Sequence, residues 1–377
     1  MTNKIIIYLS ALLLFCIPLP GISQAKSPII LGQSAPLTGK SARLGLNFRL
    51  GLLAAFAEIN AEGGVHGRDI LLKSRDDGYE PHRTLFNVQK LIDNDNAFLL
   101  IGNVGTPTTE EILPLLSARQ IPLLFPYTGA VSLRDIKHPQ ILHARASYRL
   151  EIENIVKFLT EKKGVQRIAC FYQNDSFGKS NLQTVQDVLR QKSLKLVAQG
   201  KYERNTLSVL GALKTIDEQE PEAIILVGSY APCAEYIKLD KIKNRKNRIY
   251  CNISFASPGD LQKSLGKLGT NVFVSAVVPF PWAESLLVKN YRKALLLIDE
   301  NTGPSFLSLE GYIAGRLFTK IARAVPGRLT RERFLATAQK NINIKIDDKI
   351  CRLAERIPLG RDSLYLVSLF PDFQKVQ

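Results

Sequence analysis

Short unbroken apolar runs, each followed by a helical pattern, set the strongest limit on what this chain can become. Residues 29–33, 70–73, 97–101 and 122–125 read as strands, with helical spacing over 44–61, 85–92 and 107–118 between them. A second series follows: helix 151–163, strand 167–172, helix 177–192, strand 194–202, helix 207–218 and strand 223–227. It continues with helix 231–239, strand 248–253, a short helix near 258–268 and strand 272–277. Strands that are apolar throughout and alternate with helices predict parallel sheets covered on both faces. The fold class is therefore α/β, repeated in two lobes. Helices over 284–300, 305–324 and 331–340 follow the second unit and are placed back on the first. Each lobe is then discontinuous: 26–146 with 279–345 makes the N-terminal lobe, and 147–278 with 346–377 the C-terminal lobe. Open parallel sheets bind ligands beyond the carboxyl ends of their strands. Two such ends facing each other enclose a cleft, and closing it is a hinge motion.

Residues 97–109, AFLLIGNVGTPTT, show where that cleft would take a ligand. A buried-strand pattern opens into Gly102, Asn103 and Gly105, then presents Thr106, Thr108 and Thr109 around Pro107 at a helix start. Such a start offers free backbone N–H groups and the positive end of the helix dipole, a setting for a carboxylate. Ordinary helix capping accounts for the same residues equally well.

The 377 residues carry a formal charge of +16. Residues 1–25 read as a secretory signal: Lys4, an apolar core over 5–14, helix-breaking Pro18, Pro20 and Gly21, and cleavage after Ala25. Bulky Phe15 before Cys16 argues against a lipid-anchored start. A soluble exported protein of 352 residues is expected, long enough for two domains. The basic residues are dispersed, and the densest group (Lys238, Lys241, Lys243, Arg245, Lys246 and Arg248) lacks interleaved aromatics. It reads as a solvated helix end and loop, so no nucleic-acid partner is expected. Cys170 fits an inert core thiol, and sequence does not decide whether Cys233 and Cys251 pair.

No assembled catalytic constellation is present. Gly39-Lys40-Ser41 has Ser34 where a phosphate loop needs glycine, and Gly178-Lys179-Ser180 has Gln173 there. No dinucleotide fingerprint follows the first strand, and His66, His82, His138 and His143 lack metal-ligand spacing. Asp76-Asp77 reads as a turn and cap. No enzyme activity, cofactor or metal is expected.

Several segments, taken in order, resemble the type I periplasmic solute-binding proteins of ABC importers, in the leucine/isoleucine/valine-binding branch. They are SAPLTG at 34–39, AEINAEGGVHGR at 57–68, DDGYEP at 76–81, 101–109, FPYTGA at 125–130, NDSFG at 174–178, VGSY at 227–230 and PGRLT at 326–330. The resemblance spans about residues 28–340. It implies two Rossmann-like lobes joined by three crossings, a small-molecule ligand between them, an ABC permease in the inner membrane as partner, and a monomer. It also implies that Thr106, Tyr127, Thr128 and Gly129 hold the ligand's carboxylate. Phe177 matches the aromatic that closes from the second lobe, Tyr230 another second-lobe contact, and Leu44 a position lining the side-chain pocket.

Amino-acid binders of that family place an acid after the strand matching 248–253. Here the residues are Ser254, Phe255, Ala256 and Ser257, with no acid before Asp260. A buried ammonium without a counter-charge is costly. An organic or aromatic carboxylate is therefore expected beside amino acids as ligand class, with Phe255, Phe177, Tyr127 and Tyr230 as apolar walls. The tail at 342–361 departs from the family's Gly-rich strand pair, while 364–370 reads as a closing strand. A ligand-sensing module acting on a separate membrane receptor is the alternative role.

Overall fold

A computed structural model describes residues 26–134, 137–243, 247–340, 343–353, 355 and 357–376. The secretory-signal reading lies outside the described residues, as do Arg245 and Lys246. The first sheet is built from β1 (Ile29–Ala35), β2 (Ile70–Asp76), β3 (Leu99–Ile101), β4 (Leu123–Leu124) and β5 (Ile141–Leu142). Its order is β2-β1-β3-β4-β5, with every recorded pairing parallel. The connecting helices are α1 (Ala42–Ala61), α2 (Pro81–Asp93) and α3 (Thr106–Arg119).

From residue 148 the chain builds the second sheet. α4 (Tyr148–Lys157) leads to β6 (Ile168–Gln173), α5 (Ser176–Gln191), β7 (Leu196–Tyr202), α6 (Leu210–Asp217) and β8 (Ala223–Val227). Then come α7 (Tyr230–Ile242), β9 (Ile249–Asn252), α8 (Pro258–Leu265) and β10 (Val272–Ala276). β6, β8 and β10 are buried along their whole length, which is why they read as mainly apolar runs, with Gln173 and Ser275 their polar members.

The chain returns through α9 (Leu286–Leu296), α10 (Phe306–Ala324) and α11 (Arg331–Lys340). α10 lies against α1 at backbone contact distance. A Cβ on Gly51 would stand 1.9 Å from the Ser308 carbonyl, and one on Gly311 would stand 2.1 Å from that of Phe48. Only glycine permits this approach.

The tail forms a hairpin, β11 (Asn343–Ile346) with β12 (Lys349–Arg352), and then β13 (Tyr365–Ser368) and β14 (Gln374–Lys375). The strand pair thus exists without its glycines, because Asp347 takes the left-handed turn conformation at φ 51°. A lobe boundary at 345/346 would cut this hairpin. β13 joins β10 antiparallel, giving the order β14-β13-β10-β9-β8-β6-β7.

Two charged groups differ from their expected settings or confirm them locally. Arg248 is not part of a solvated face: it is 6 % exposed and pairs with Asp240 at 2.7 Å. Asp76 is the cap its position suggests, accepting from Leu37 N, Thr38 N, Gly78 N and the Thr38 hydroxyl. Burial opposes its ionisation, but those hydrogen bonds outweigh it and hold the pKa at about 2. A depressed carboxylate adds stability above its unfolded pKa and loses it as pH falls through the folded one. Asp76→Asn should therefore flatten the loss of stability between pH 4 and pH 2, as read by urea unfolding at stepped pH. All four described cysteines are buried free thiols, so Cys233 and Cys251 are not paired.

Candidate functional site

The carboxyl ends of both sheets meet, and the loops leaving them carry most of the sequence-derived candidates. Gly105 starts α3 at φ 104° and ψ 154°, a conformation reserved for glycine. Its N–H donates to the Tyr127 carbonyl at 3.2 Å, which sets the two ligand-loop candidates side by side. The hydroxyls of Thr106 and Thr128 lie 2.7 Å apart, and Ala130 N donates to Thr128 at 3.2 Å. One hydroxyl proton is used between the pair, and the Thr128 hydroxyl also lies against that of Tyr148. Gly129 is buried against Tyr148, where a Cβ would sit 2.7 Å from the ring.

Across the junction, Ser254–Ala256 forms a single 3₁₀ turn after β9. Its Phe255 ring is the hub of an aromatic cluster. The centroid lies 5.6 Å from Tyr127 in a stacked arrangement, 5.7 Å from Tyr79 and 4.8 Å from Phe177. Phe177 also meets Tyr148 edge-on at 5.4 Å. Each such pair contributes about 0.5–1.5 kcal/mol beyond area burial. The Tyr127 hydroxyl donates to the Ser254 carbonyl at 2.7 Å, tying the first lobe to the second. Tyr127, Phe177, Ser254 and Phe255 are thus brought together.

Tyr230 is buried at the start of α7, and its hydroxyl accepts from Arg43 N at 3.4 Å. The Arg43 guanidinium carbon lies 4.5 Å from the Tyr230 ring centre. Leu44 follows Arg43 in the first turn of α1 and is buried in the apolar core. Asp260 is 3.6 Å from Arg43 and accepts from Asn47 and Ser257, so the first acid after β9 already has partners. On a second contact between the lobes, Arg204 and Asn205 reach Glu80, at 3.1 and 2.7 Å.

Sequence reasoning missed three charged residues. Arg145, on the segment leading from β5 to α4, is 2 % exposed, and its guanidinium carbon lies 4.3 Å from the Tyr127 ring centre. It donates to the Ser254 hydroxyl through Nη2, while Nε stands 3.5 Å from Glu310 on α10. Glu151 on α4 is fully buried and accepts from Ser254 N at 2.7 Å and the Ser254 hydroxyl at 2.8 Å. Burial raises both carboxyl pKa values, against the pull of Arg145; Glu310 reaches about 7. For Arg145 burial works the other way, but Glu310, Tyr127, Tyr148 and Glu151 together hold it charged. A fixed cation and two acids therefore lie beside the hydroxyls and rings that sequence pointed to. The signal available was Glu310 itself, a lone charge within the apolar run FLSLEGYIAG.

Two α/β lobes meeting at their strand ends, with aromatic and polar side chains shared between them, are the architecture of a two-lobed binding protein. Among the described residues no cluster of metal-ligating side chains occurs, and no helix is long and apolar enough to cross a membrane. The family described as periplasmic binding protein matches residues 28–351, and the chain belongs to it, in the type I Leu/Ile/Val-binding branch. An amino acid binding protein of Pseudomonas aeruginosa is 31 % identical over 87 residues, 23 % of each chain. The Leu/Ile/Val-binding protein of Escherichia coli is 26 % identical over 188 residues, 50 % of this chain and 51 % of that one. The chain spans about half or less of the length of these curated relatives. A solved structure described as a possible leucine/isoleucine/valine-binding protein from Rhodopirellula baltica is 32 % identical. It covers 94 % of this chain and 97 % of its own, with a TM-score of 0.86.

Proposed function

We propose that this chain is the extracytoplasmic, non-enzymatic solute-binding component of an ABC importer. It captures a small carboxylate-bearing ligand in the periplasm by closing two lobes over it, and the closed form is handed to a membrane permease. The contact that carries this reading is the one between lobes: Tyr127 bonded to Ser254 and stacked on Phe255, beside the Thr106–Thr128 pair. Opening the hinge parts these rings and admits a ligand between them. The α3 start and the Thr106 and Thr128 hydroxyls take its carboxylate, and Tyr127, Phe177 and Phe255 pack on its apolar body. The relatives named for leucine, isoleucine and valine support this class of ligand.

The missing acid at 254–257 no longer argues against an amino group, since Glu151 and Glu310 stand in the same region. Amino acids and their deaminated analogues therefore belong in one test. Calorimetric titration with leucine, phenylalanine, 4-methylpentanoate and benzoate should give saturable one-to-one binding for at least one of them. Thr128→Ala should weaken that binding roughly tenfold, the loss of about one hydrogen bond to a charged group. Heat-silent titrations across the panel would reject the reading.

A further inference from the structure

At the junction between the lobes two carboxyls, fully buried Glu151 and nearly buried Glu310, share one guanidinium, that of Arg145. Glu310 comes from α10, which packs on α1, and Glu151 from α4, which packs on α5. Arg145 lies on the connecting segment between β5 and α4, 3.5 Å from the first and 3.9 Å from the second. Its Nε and Nη1 are buried without hydrogen-bond partners, so the guanidinium does not satisfy both acids. Glu151 is held by Ser254, which leaves Glu310 as the carboxyl with only an imperfect ion pair. Among the described residues no other cation is paired with Glu310. Tyr127 lies across the guanidinium and keeps its proton, because burial holds its pKa above the ordinary value. His143 is kept neutral by burial and by Arg134, with a pKa of about 3. Arg134 spends its Nη2 donor on the carbonyls of Arg145 and Ala146.

We propose that lobe closure is coupled to proton uptake at Glu310, which Arg145 and Glu151 hold at the junction of the two lobes. This rests on the reading of the junction as a hinged cleft. When the lobes part, water reaches Glu310 and its carboxyl releases a proton to solvent. When they close, the carboxylate loses that water, keeps only part of Arg145, faces Glu151, and takes a proton back. The closed pKa near 7 and the ordinary 4.5 in water agree with that direction. The closed form binds the extra proton, so acid favours closure, and raising the pH through 7 opposes it. Between pH 5.5 and pH 8 the closed-to-open ratio should fall roughly 25-fold.

Small-angle scattering of the purified protein without added ligand tests this. The radius of gyration should be smaller at pH 5.5 than at pH 8, with its midpoint between the two pKa values, 4.5 and about 7. Glu310→Gln should stay compact at both values, its fold checked by circular dichroism. Glu151→Gln gives a second arm: removing the like charge should move the midpoint to lower pH. A wild-type radius that does not change with pH, a shift that survives in Glu310→Gln, or an unmoved midpoint in Glu151→Gln would overturn the proposal. Since no ligand is used, its failure is separate from failure of the transport reading, which shows in the titration panel.

Discussion

Arg145→Ala should be the most damaging single substitution in this protein, lowering stability by about 3–5 kcal/mol. The loss does not come from the ion pairs alone. Truncation leaves Glu151 fully buried beside Ser254 and Glu310 with no cation facing it, and it removes the guanidinium that covers the Tyr127 ring. An unpaired buried carboxylate is destabilising in its charged form only, so the sign of the pH effect follows. In the variant both carboxyl pKa values rise further, and the penalty grows as pH rises above them. Urea unfolding at pH 5 and pH 8 checks this: the deficit of the variant should be larger at pH 8. A deficit below about 1 kcal/mol at both values would mean that the cluster is solvated in solution.

Gly105→Ala should abolish ligand binding while most of the fold survives. The backbone at φ 104° and ψ 154° costs about 1–3 kcal/mol for any residue with a side chain. The added Cβ would also meet the Tyr79 ring at 2.2 Å and the Thr108 hydroxyl at 2.9 Å. Tyr79 cannot shift alone, because it packs on Phe255 and its hydroxyl accepts from Gln173 at 3.3 Å. The loop would yield instead, moving the Thr106 hydroxyl and the bond from Gly105 to Tyr127. Calorimetry should show loss of binding to the best ligand of the panel, with circular dichroism close to wild type. Retained binding would remove the α3 start from the site.

The central strands of the second sheet were legible because they are buried on both faces: the runs at 168–172 and 223–227 are apolar throughout, and 272–276 holds one polar residue, the buried Ser275. The candidate ligand loops stood out for a different reason: Gly105 and Pro107 punctuate them, and the threonines stand where backbone donors are free. The Arg145–Glu151–Glu310 cluster was not legible, because Glu310 is far along the chain from the other two and a charged residue reads as solvated by default. Glu151 in particular looks like an acid favoured in the first turn of a helix. The tail hairpin was missed because Asp347 turns it, at a left-handed position where glycine is the usual signal. The buried Arg248 was missed alike, since Asp240 lies eight residues before it in a run of lysines.

The proposed binding mode places a solute between the two lobes, held by the α3 start and the rings that now touch each other. A crystal structure with the tightest-binding solute of the panel is the decisive test. A carboxylate is expected within hydrogen-bond distance of Thr106 or Thr128, with the solute's apolar body between Tyr127 and Phe255. A bound solute elsewhere, with the Thr106–Thr128 pair intact and Phe255 still stacked on Tyr127, would contradict it.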